Sequence, residues 1–253
     1  MAYDDRCQIF NRAEQDSLRK GGAILRDCLS HLRPLVKPGV TTMDLDQAAE
    51  AFIRSRGGLP AFKGYHDFPG TLCTSVNDEV VHGIPSRKKV LADGDIISLD
   101  CGVIFDDLYT DACITVEVGS VRPEIRAFID VASRALEDVI RTVVKAGVHV
   151  GDISAFIEAR LRGGGYSPIR ILTGHGLGDT LHQFPDVPNV GKTGTGPVLP
   201  EGTMIAIEPI AVMGGDAVFT ASDGWTVIAR DGSPACHVEH SVLVTAEGCE
   251  VVA

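Results

Sequence analysis

The chain of 253 residues is 44% hydrophobic and 23% charged, a balance that is typical of globular proteins and excludes a disordered polypeptide. Its formal net charge is −11, which argues against nucleic-acid binding because that function normally requires a basic surplus. No apolar run approaches the ~20 residues of a membrane-spanning helix, no signal-peptide pattern begins the chain, and the seven scattered cysteines include no C-x-x-C pair. We therefore expect a cytoplasmic protein with reduced thiols.

The predicted elements form the same series twice, two helices followed by strands. Apolar spacing predicts helices over residues 13–33, 43–56, 124–145 and 152–162 and strands over 71–76, 95–104, 108–118, 203–213, 224–230 and 237–245. This order favours an α+β fold in which helices cover an antiparallel sheet. Asp44 and Asp152 are expected either to cap the second helix of each series or to lie in its first turn. Glycines at 57–58 and 163–165 should end these helices.

An internal repeat supports this division of the chain. The segment VKPGV at 36–40 matches VKAGV at 144–148, and VLADG at 90–94 matches VLPEG at 198–202. The displacement from 36 to 144 equals that from 90 to 198, and we call it the repeat offset. Chance does not readily produce several matches at one offset. We therefore predict an internal duplication, of approximately residues 13–118 and 122–250, within one compact domain.

Four carboxylates lie at repeat-related positions in the predicted strands. Asp100 and Asp111 belong to one predicted hairpin, and Glu208 corresponds to Asp100 at the repeat offset. A turn centred on residues 105–106 would place Asp100 directly opposite Asp111, where the two charges repel unless a cation lies between them. The segment around Glu239 resembles that around Asp111 but lies beyond the repeat offset, so the second connection is longer than the first. A single strand acid usually faces water, but four at related positions predict a metal-binding cluster.

Histidine completes the predicted ligand set. His175 lies between two glycines, which let the backbone come close and leave the imidazole uncrowded. One imidazole with four carboxylates is a hard donor set that suits a pair of divalent first-row ions better than one tetrahedral zinc, and hydrolysis is the natural chemistry of such a pair. His240 should point away from its neighbour Glu239, since adjacent strand residues face opposite sides. We expect an ordinary surface or hydrogen-bonded role for His31, His66, His149, His237 and His240.

Taken in order and spacing, the motifs resemble those of the pita-bread metallopeptidases, and most closely the type I methionine aminopeptidases. The resemblance covers nearly the whole chain and rests on VHGIP at 81–85, the Asp100 to Asp111 spacing, GHGLG at 174–178, IEP at 207–209, GWTV at 224–227 and VEHS at 238–241. It implies a single catalytic domain, residues 1–253, with two pseudo-symmetric α/β halves. It also implies two divalent ions (Co, Mn, Fe, Zn or Ni) held by Asp100, Asp111, His175, Glu208 and Glu239, with Asp111 and Glu239 bridging them.

The resemblance further implies a reaction, a substrate and roles for side chains. A metal-activated water would hydrolyse the first peptide bond and release the N-terminal methionine of nascent proteins near the ribosome, and the enzyme would act as a monomer. Glu208 would shuttle the proton to the leaving amine, His182 would stabilise the oxyanion, and His82 would hydrogen-bond the scissile nitrogen or the substrate backbone. A pocket where sulfur–aromatic contacts favour Met would be formed by Tyr65, Phe68, Cys73, Trp225, Phe62 and Leu181.

Some positions depart from the family's usual pattern. Gln183 stands where Glu is common, Leu181 where an aromatic residue is common, and Val81 where some members carry Cys. These departures concern the shape of the pocket and leave the ligand set intact. Residues 186–197 are predicted to form a surface loop near the site.

Three alternatives stay open from the sequence. An Xaa-Pro aminopeptidase or dipeptidase would use the same ligands, but such relatives usually carry a large N-terminal domain, and the stretch before His82 is too short to hold one. A catalytically inactive peptide-binding module would be expected to lose ligands, and this chain keeps all the candidates. A di-metal redox protein usually takes its carboxylates from Glu-x-x-His helices, which the sequence lacks.

Overall fold

The computed structural model describes residues 6–253, which form four α-helices and fifteen β-strands. The helices are α1 (Arg12–Leu32), α2 (Thr42–Ser55), α3 (Pro123–Thr142) and α4 (Val150–Gly163), with short 3₁₀ turns at Arg33–Leu35 and Tyr65–Asp67. The strands are β1 (Leu59–Pro60), β2 (Leu72–Val76), β3 (Glu79–Val81), β4 (Ile96–Phe105), β5 (Leu108–Glu117), β6 (Ser167–Pro168), β7 (Thr173–Gly176), β8 (Gln183–Pro188), β9 (Met204–Ile207), β10 (Ile210–Val212), β11 (Val218–Thr220), β12 (Val227–Ala229), β13 (Ala235–His237), β14 (Glu239–Val244) and β15 (Cys249–Val251). All four predicted helices are therefore present, with bounds close to those expected.

The second helix of each series begins with a carboxylate in its first turn. Asp44 Oδ2 accepts the main-chain N–H of Thr41 at 3.0 Å, and Asp152 Oδ2 accepts that of His149 at 3.0 Å. Thr41 and His149 are the residues at the capping position, so the first-turn expectation for the two aspartates is confirmed and the capping one is wrong. Carboxylates at this position complement the positive end of the helix dipole.

One large sheet joins the two series. Its strands follow the order β1-β4-β5-β14-β9-β7-β8, with β2 added to β4 and β15 to β14, and every pairing is antiparallel. Two smaller three-stranded sheets have the orders β13-β10-β6 and β11-β12-β3. Helices α1 and α2 pack on the first-half strands around one buried apolar cluster, and α3 and α4 pack on the second-half strands around another. This arrangement is the predicted α+β fold of helices on an antiparallel sheet.

The two halves share equivalent contacts at the predicted offset. Thr41 forms an isolated antiparallel bridge with Val90, and His149 forms one with Val198. Both partners of the second bridge are displaced from those of the first by the repeat offset. The halves meet where β5 pairs with β14, so the large sheet runs continuously from one helix pair to the other.

The hairpin β4–β5 turns one residue later than the sequence suggested. Its two-residue turn is Asp106-Asp107, with φ of 49° and 62°. Aspartate tolerates positive φ better than Phe does, which explains why the turn falls there. Asp100 is consequently opposite Cys113, and the expected direct pairing of Asp100 with Asp111 is wrong. The two aspartates still face the same side of the sheet, as diagonal neighbours.

Two predicted second-half strands are each divided in two. The stretch 203–213 is interrupted at Glu208-Pro209, where proline cannot donate a backbone hydrogen bond, and the stretch 237–245 is interrupted at Val238. Residues 186–188 belong to β8 and not to the expected loop, which is confined to 189–197. Within residues 6–253, no helix is long and apolar enough to cross a membrane.

Candidate metal centre

One cavity of about 280 Å³ contains every side chain that the sequence put forward for the site. It lies against the seam between β5 and β14, and Glu208 enters it from the break after β9. The predicted residues that line it are Phe62, Tyr65, Phe68, Cys73, His82, Asp100, Asp111, His175, Leu181, His182, Glu208, Trp225 and Glu239.

The carboxylates are held by rigid strand backbone from both halves. Asp100 lies on β4, Asp111 on β5 and Glu239 at the start of β14, and all three are buried. Ser241 Oγ accepts the backbone N–H of Asp111 at 2.9 Å and donates to its carbonyl oxygen at 2.6 Å. This reciprocal pair ties the first-half ligand strand to the second-half one beside Glu239.

Burial and mutual repulsion disfavour the ionised form of these acids. Burial raises the pKa of Asp100 to about 6 and that of Glu239 to about 8. Burial, with the neighbouring charges of Glu239 and Asp100, raises the pKa of Asp111 well above its usual range. The pKa of Glu208 is raised by burial as well. A cation among these groups would relieve the repulsion and restore the ionised forms.

The donor atoms of the cluster fit a divalent cation. Buried oxygens of Asp100 (Oδ1), Asp111 (Oδ1) and Glu239 (Oε1) have no hydrogen-bond partner within the part of the chain that the structure describes. Buried polar atoms are nearly always paired, so three orphaned oxygens in one cavity require an explanation. Asp111, His175 and Glu239 each offer a ligand atom, and these atoms all lie within 4.8 Å of one another. A bound ion accounts for both observations.

His175 presents a free nitrogen lone pair to the cluster. Its Nδ1 lies 3.0 Å from the carbonyl oxygen of Gly176, and because a carbonyl only accepts, Nδ1 carries the hydrogen and Nε2 the lone pair. Burial lowers the pKa of His175 to about 3, which keeps the imidazole neutral, as metal ligation requires. A Cβ at Gly174 would collide with the Ala206 carbonyl, so a glycine there permits the close strand approach that places His175.

Two further histidines, His82 and His182, line the same cavity. The His182 ring lies 4.3 Å from the His175 ring, and its Nδ1 lies 3.0 Å from the hydroxyl of Tyr65. His82 follows β3 with φ of 59°, a conformation unusual for a non-glycine residue, and its ring lies 6.1 Å from that of Trp225. Burial lowers the pKa of His82 to about 4 and also lowers that of His182.

One side of the cavity is apolar. The buried apolar residues on this side form a small cluster of their own, and the half-buried side chains of Trp225 and Tyr65 pack against it. The rings of Phe68 and Trp225 meet edge to face, with centroids 5.1 Å apart. The buried residues of this apolar compartment that line the cavity are Phe62, Phe68, Cys73 and Leu181.

Sequence reasoning missed one titratable residue of the site, His237, and four other residues that line the cavity: Ile171, Leu172, Thr173 and Ile210. The expected surface position is wrong, because His237 is 3% exposed and lines the cavity. Its Nε2 lies 3.3 Å from Glu208 Oε2 and 3.5 Å from Glu239 Oε2. The signal that could have found it is the two-residue period of a strand, since His237 precedes Glu239 by two positions and shares its face.

The other histidines lie outside the cavity. His31 stacks on Phe52 with ring centroids 5.0 Å apart, and His66 is exposed beside Tyr65. His149 Nδ1 bonds the carbonyl of Gly196, and His240 Nδ1 bonds that of Ala253 on the opposite face of β14. The fold therefore separates His240 from its neighbour Glu239, as expected.

The fold and site define a class: an α+β protein of two helix-and-sheet halves, with a cavity of clustered carboxylates and imidazole suited to divalent cations. The sequence profile of metallopeptidase family M24 matches residues 16–246. A methionine aminopeptidase of Clostridium acetobutylicum is 42% identical over 246 residues, which cover 96% of this chain and 97% of the relative. The chain belongs to metallopeptidase family M24, which confirms the family expected from the motifs.

Solved structures agree with this assignment. The crystal structure of a methionine aminopeptidase from Thermotoga maritima matches with a TM-score of 0.96 at 36% identity, over 98% of this chain and 99% of that one. An Xaa-Pro dipeptidase from Bacillus anthracis matches with a TM-score of 0.78 at 22% identity, and only 61% of that chain is covered. The second likeness shows a shared fold alone. The expected pita-bread fold is confirmed.

Proposed function

We propose that this chain removes the N-terminal methionine from proteins and peptides by metal-dependent hydrolysis. The proposal depends on one observation. A single cavity contains both buried carboxylate oxygens without hydrogen-bond partners and an apolar compartment lined by aromatic residues. Methionine aminopeptidases similar over nearly the full length of both chains support the same activity.

The metal would be held by five side chains. Four carboxylates and one imidazole offer more donors than a single tetrahedral ion uses, which supports a pair of divalent ions that Asp111 and Glu239 would help to hold at the β5–β14 seam. Such ions, when bound, act as Lewis acids and lower the pKa of water to about 7. The proposed ligands are Asp100, Asp111, His175, Glu208 and Glu239.

Glu208 is the proposed proton carrier. Its side chain is 11% exposed, with Oε1 3.9 Å from His175 Nε2 and Oε2 3.3 Å from His237 Nε2. Burial raises its pKa above the usual range, which suits a carboxylate that accepts a proton from water and returns it to the leaving amine. The position after the strand break lets its side chain reach into the cavity beyond the regular strand.

His182 and His82 are the proposed hydrogen-bond donors to the substrate. Their lowered pKa values keep both imidazoles neutral at pH 7, so each carries one N–H. We assign the hydroxyl of Tyr65 as donor to Nδ1 of His182, which leaves the hydrogen on Nε2. That N–H would then stabilise the oxyanion of the scissile carbonyl, while His82 would bond the scissile nitrogen or the substrate backbone.

The apolar compartment is the proposed methionine pocket. The edge-to-face pair of Phe68 and Trp225, with Cys73 and Leu181, offers aromatic edges and polarisable sulfur to an unbranched thioether. Tyr65 and Phe62 complete the lining. Leu181 is 2% exposed, so the departure from an aromatic residue at this position leaves the pocket apolar.

Hydrolysis of two short peptides tests the proposal. Metal-stripped protein should cleave neither Met-Ala-Ser nor Ala-Pro-Ser, and restored Mn²⁺, Fe²⁺ or Co²⁺ should bring release of methionine from the first alone. Cleavage before proline would show that the protein is an Xaa-Pro peptidase instead. If metal binds and neither peptide is cleaved, the methionine aminopeptidase proposal fails and the inactive peptide-binding module takes its place.

We further propose that the protein is a cytoplasmic monomer, a single catalytic domain that acts on nascent chains at the ribosome. All seven cysteines are free thiols, which supports a reducing compartment. The equivalent bridges in the two halves support an internal duplication within one domain. Light scattering, and co-sedimentation with translating ribosomes, would test the oligomeric state and the partner.

A further inference from the structure

His237 occupies a position between two proposed ligands that come from different parts of the chain. Glu208 follows β9 and Glu239 begins β14, and the imidazole Nε2 lies 3.3 Å and 3.5 Å from one oxygen of each. The side chain is 3% exposed, so water does not screen these contacts. One buried nitrogen thus lies within ion-pair distance of both carboxylates.

The direction of these contacts follows from the chemistry of the partners. Once a cation is bound, both carboxylates are ionised and only accept hydrogen bonds, so a nitrogen that faces their oxygens then carries a hydrogen. The Nε2 atom is aligned with neither oxygen well enough to count as a hydrogen bond, and it is one of the unpaired buried atoms of the described residues. The imidazole therefore lies between Glu208 and Glu239 and can donate a hydrogen bond to either carboxylate after a small rotation.

The backbone of His237 is anchored to the first half of the molecule. Its carbonyl oxygen accepts a hydrogen bond from the Thr115 hydroxyl at 2.7 Å. Its N–H donates to the oxygen of that Thr115 hydroxyl at 3.2 Å. The Thr115 hydroxyl also pairs with that of Ser98 at 2.9 Å, directly across β4 and β5. The strands that carry Asp100 and Asp111 thus also fix the imidazole that contacts the two glutamates.

We propose that His237 is a positioning residue that orients the carboxylates of Glu208 and Glu239 and so preorganises the metal-binding set. This proposal rests on the proposed function in that it takes these two glutamates as metal ligands. Outer partners of metal ligands fix the ligand orientation, and their loss typically costs about 10–100-fold in metal affinity. His237 also links the two halves, because its backbone bonds Thr115 in the first half and its imidazole contacts Glu208 and Glu239 in the second.

Calorimetric titration of the metal-free protein with Mn²⁺ tests the proposal. We expect His237→Ala to weaken Mn²⁺ binding by about 10–100-fold, and His237→Gln, which keeps an N–H donor, to recover most of that loss. His240→Gln is the matched control, since His240 lies three positions later on the opposite face of the same strand region. Circular dichroism of each metal-free variant shows whether it is folded.

The outcomes separate the possible roles. Wild-type affinity in folded His237→Ala would overturn the proposal, as would a His237→Gln variant that binds no better than the alanine one. The visible absorption of bound Co²⁺ provides a second readout, and a changed Co²⁺ spectrum in His237→Gln would make His237 a direct ligand instead. Because these measurements use no peptide, a wild-type protein that binds metal without releasing methionine would refute the proposed function and leave the His237 result standing.

Discussion

The two halves of the molecule build their ligand strands differently. In the first half, β4 and β5 are uninterrupted ten-residue strands joined by a two-residue turn, and they carry Asp100 and Asp111. In the second half, the strands β9 and β14 are short, and a long connection, 208–238, lies between them. That connection contributes Trp225 and His237 to the cavity.

The difference indicates that the two halves contribute unequally to the cavity. The regular hairpin supplies two of the proposed metal ligands, both on rigid strand backbone. The expanded connection supplies the proposed proton carrier at a strand break, one wall of the proposed methionine pocket and the imidazole between the two glutamates. We therefore expect changes in the second-half connection to alter chemistry and selectivity, and changes in the first-half turn to alter stability alone.

The largest effect should come from the strand break itself. Glu208→Gln removes the proposed proton carrier and should lower kcat for methionine release by about 10²–10⁴-fold while the fold is retained. The measurement is single-turnover hydrolysis of Met-Ala-Ser with metal added in excess. Glu201→Gln, an exposed acid before β9, is the control and should retain activity. Undiminished kcat in Glu208→Gln would remove Glu208 from the chemistry.

A smaller effect should follow from the pocket wall on the same connection. Trp225→Ala removes the aromatic partner of Phe68 and should lower kcat/KM for methionine peptides by about 10–100-fold, the range for lost contacts in an apolar specificity pocket. Metal affinity should not change. Phe219→Ala, 42% exposed on β11 of the same connection, provides the matched control. Equal losses in both variants would mean that the connection matters only for stability.

The pH dependence of the metal-free protein tests whether burial at the β5–β14 seam disfavours the ionised carboxylates. Burial raises the pKa of Glu239 from 4.5 to about 8, so the folded state holds a proton that the unfolded state has released. Stability is therefore lost as pH rises toward the folded pKa, and between pH 6.5 and 8 the histidines with lowered pKa values no longer oppose this loss. Glu239 alone contributes a fall of about 2 kcal/mol in the free energy of unfolding across that window.

Urea unfolding at several pH values, with and without Mn²⁺, measures this fall. Bound metal should abolish it, because the cation stabilises the ionised carboxylates. A metal-free protein whose stability is flat or rises from pH 6.5 to 8 would contradict the cost that burial places on the ionised form of Glu239.

The smallest effect should lie in the first-half turn. Asp107→Gly places the residue that prefers positive φ at a position with φ of 62°, and should stabilise the protein by about 0.5–1 kcal/mol without altering kcat. Asp107→Ala should destabilise it by a similar amount. Thermal melts of the metal-free variants provide the comparison. A change in methionine release in either variant would show that the turn is coupled to the site.

Much of the fold and site followed from local pattern. Helical spacing located α1 to α4, the repeat offset located the two halves, and strand position marked Asp100, Asp111, Glu208 and Glu239. These features repeat along the chain or obey a fixed period, so short stretches of sequence are enough to reveal them. The roles proposed for His82 and His182 came from family resemblance and not from local pattern.

Tertiary structure alone decided three matters. The hairpin register depended on which two residues accept positive φ, and Asp106-Asp107 do so at lower cost than a turn containing Phe105. The division of the second-half strands depended on where the connection leaves the sheet. The place of His237 depended on the pairing of β13 with β10 and on the hydroxyl of Thr115, contacts between residues distant in sequence. Side-chain identity and period determine which residues are available, but only long-range packing determines which of them meet.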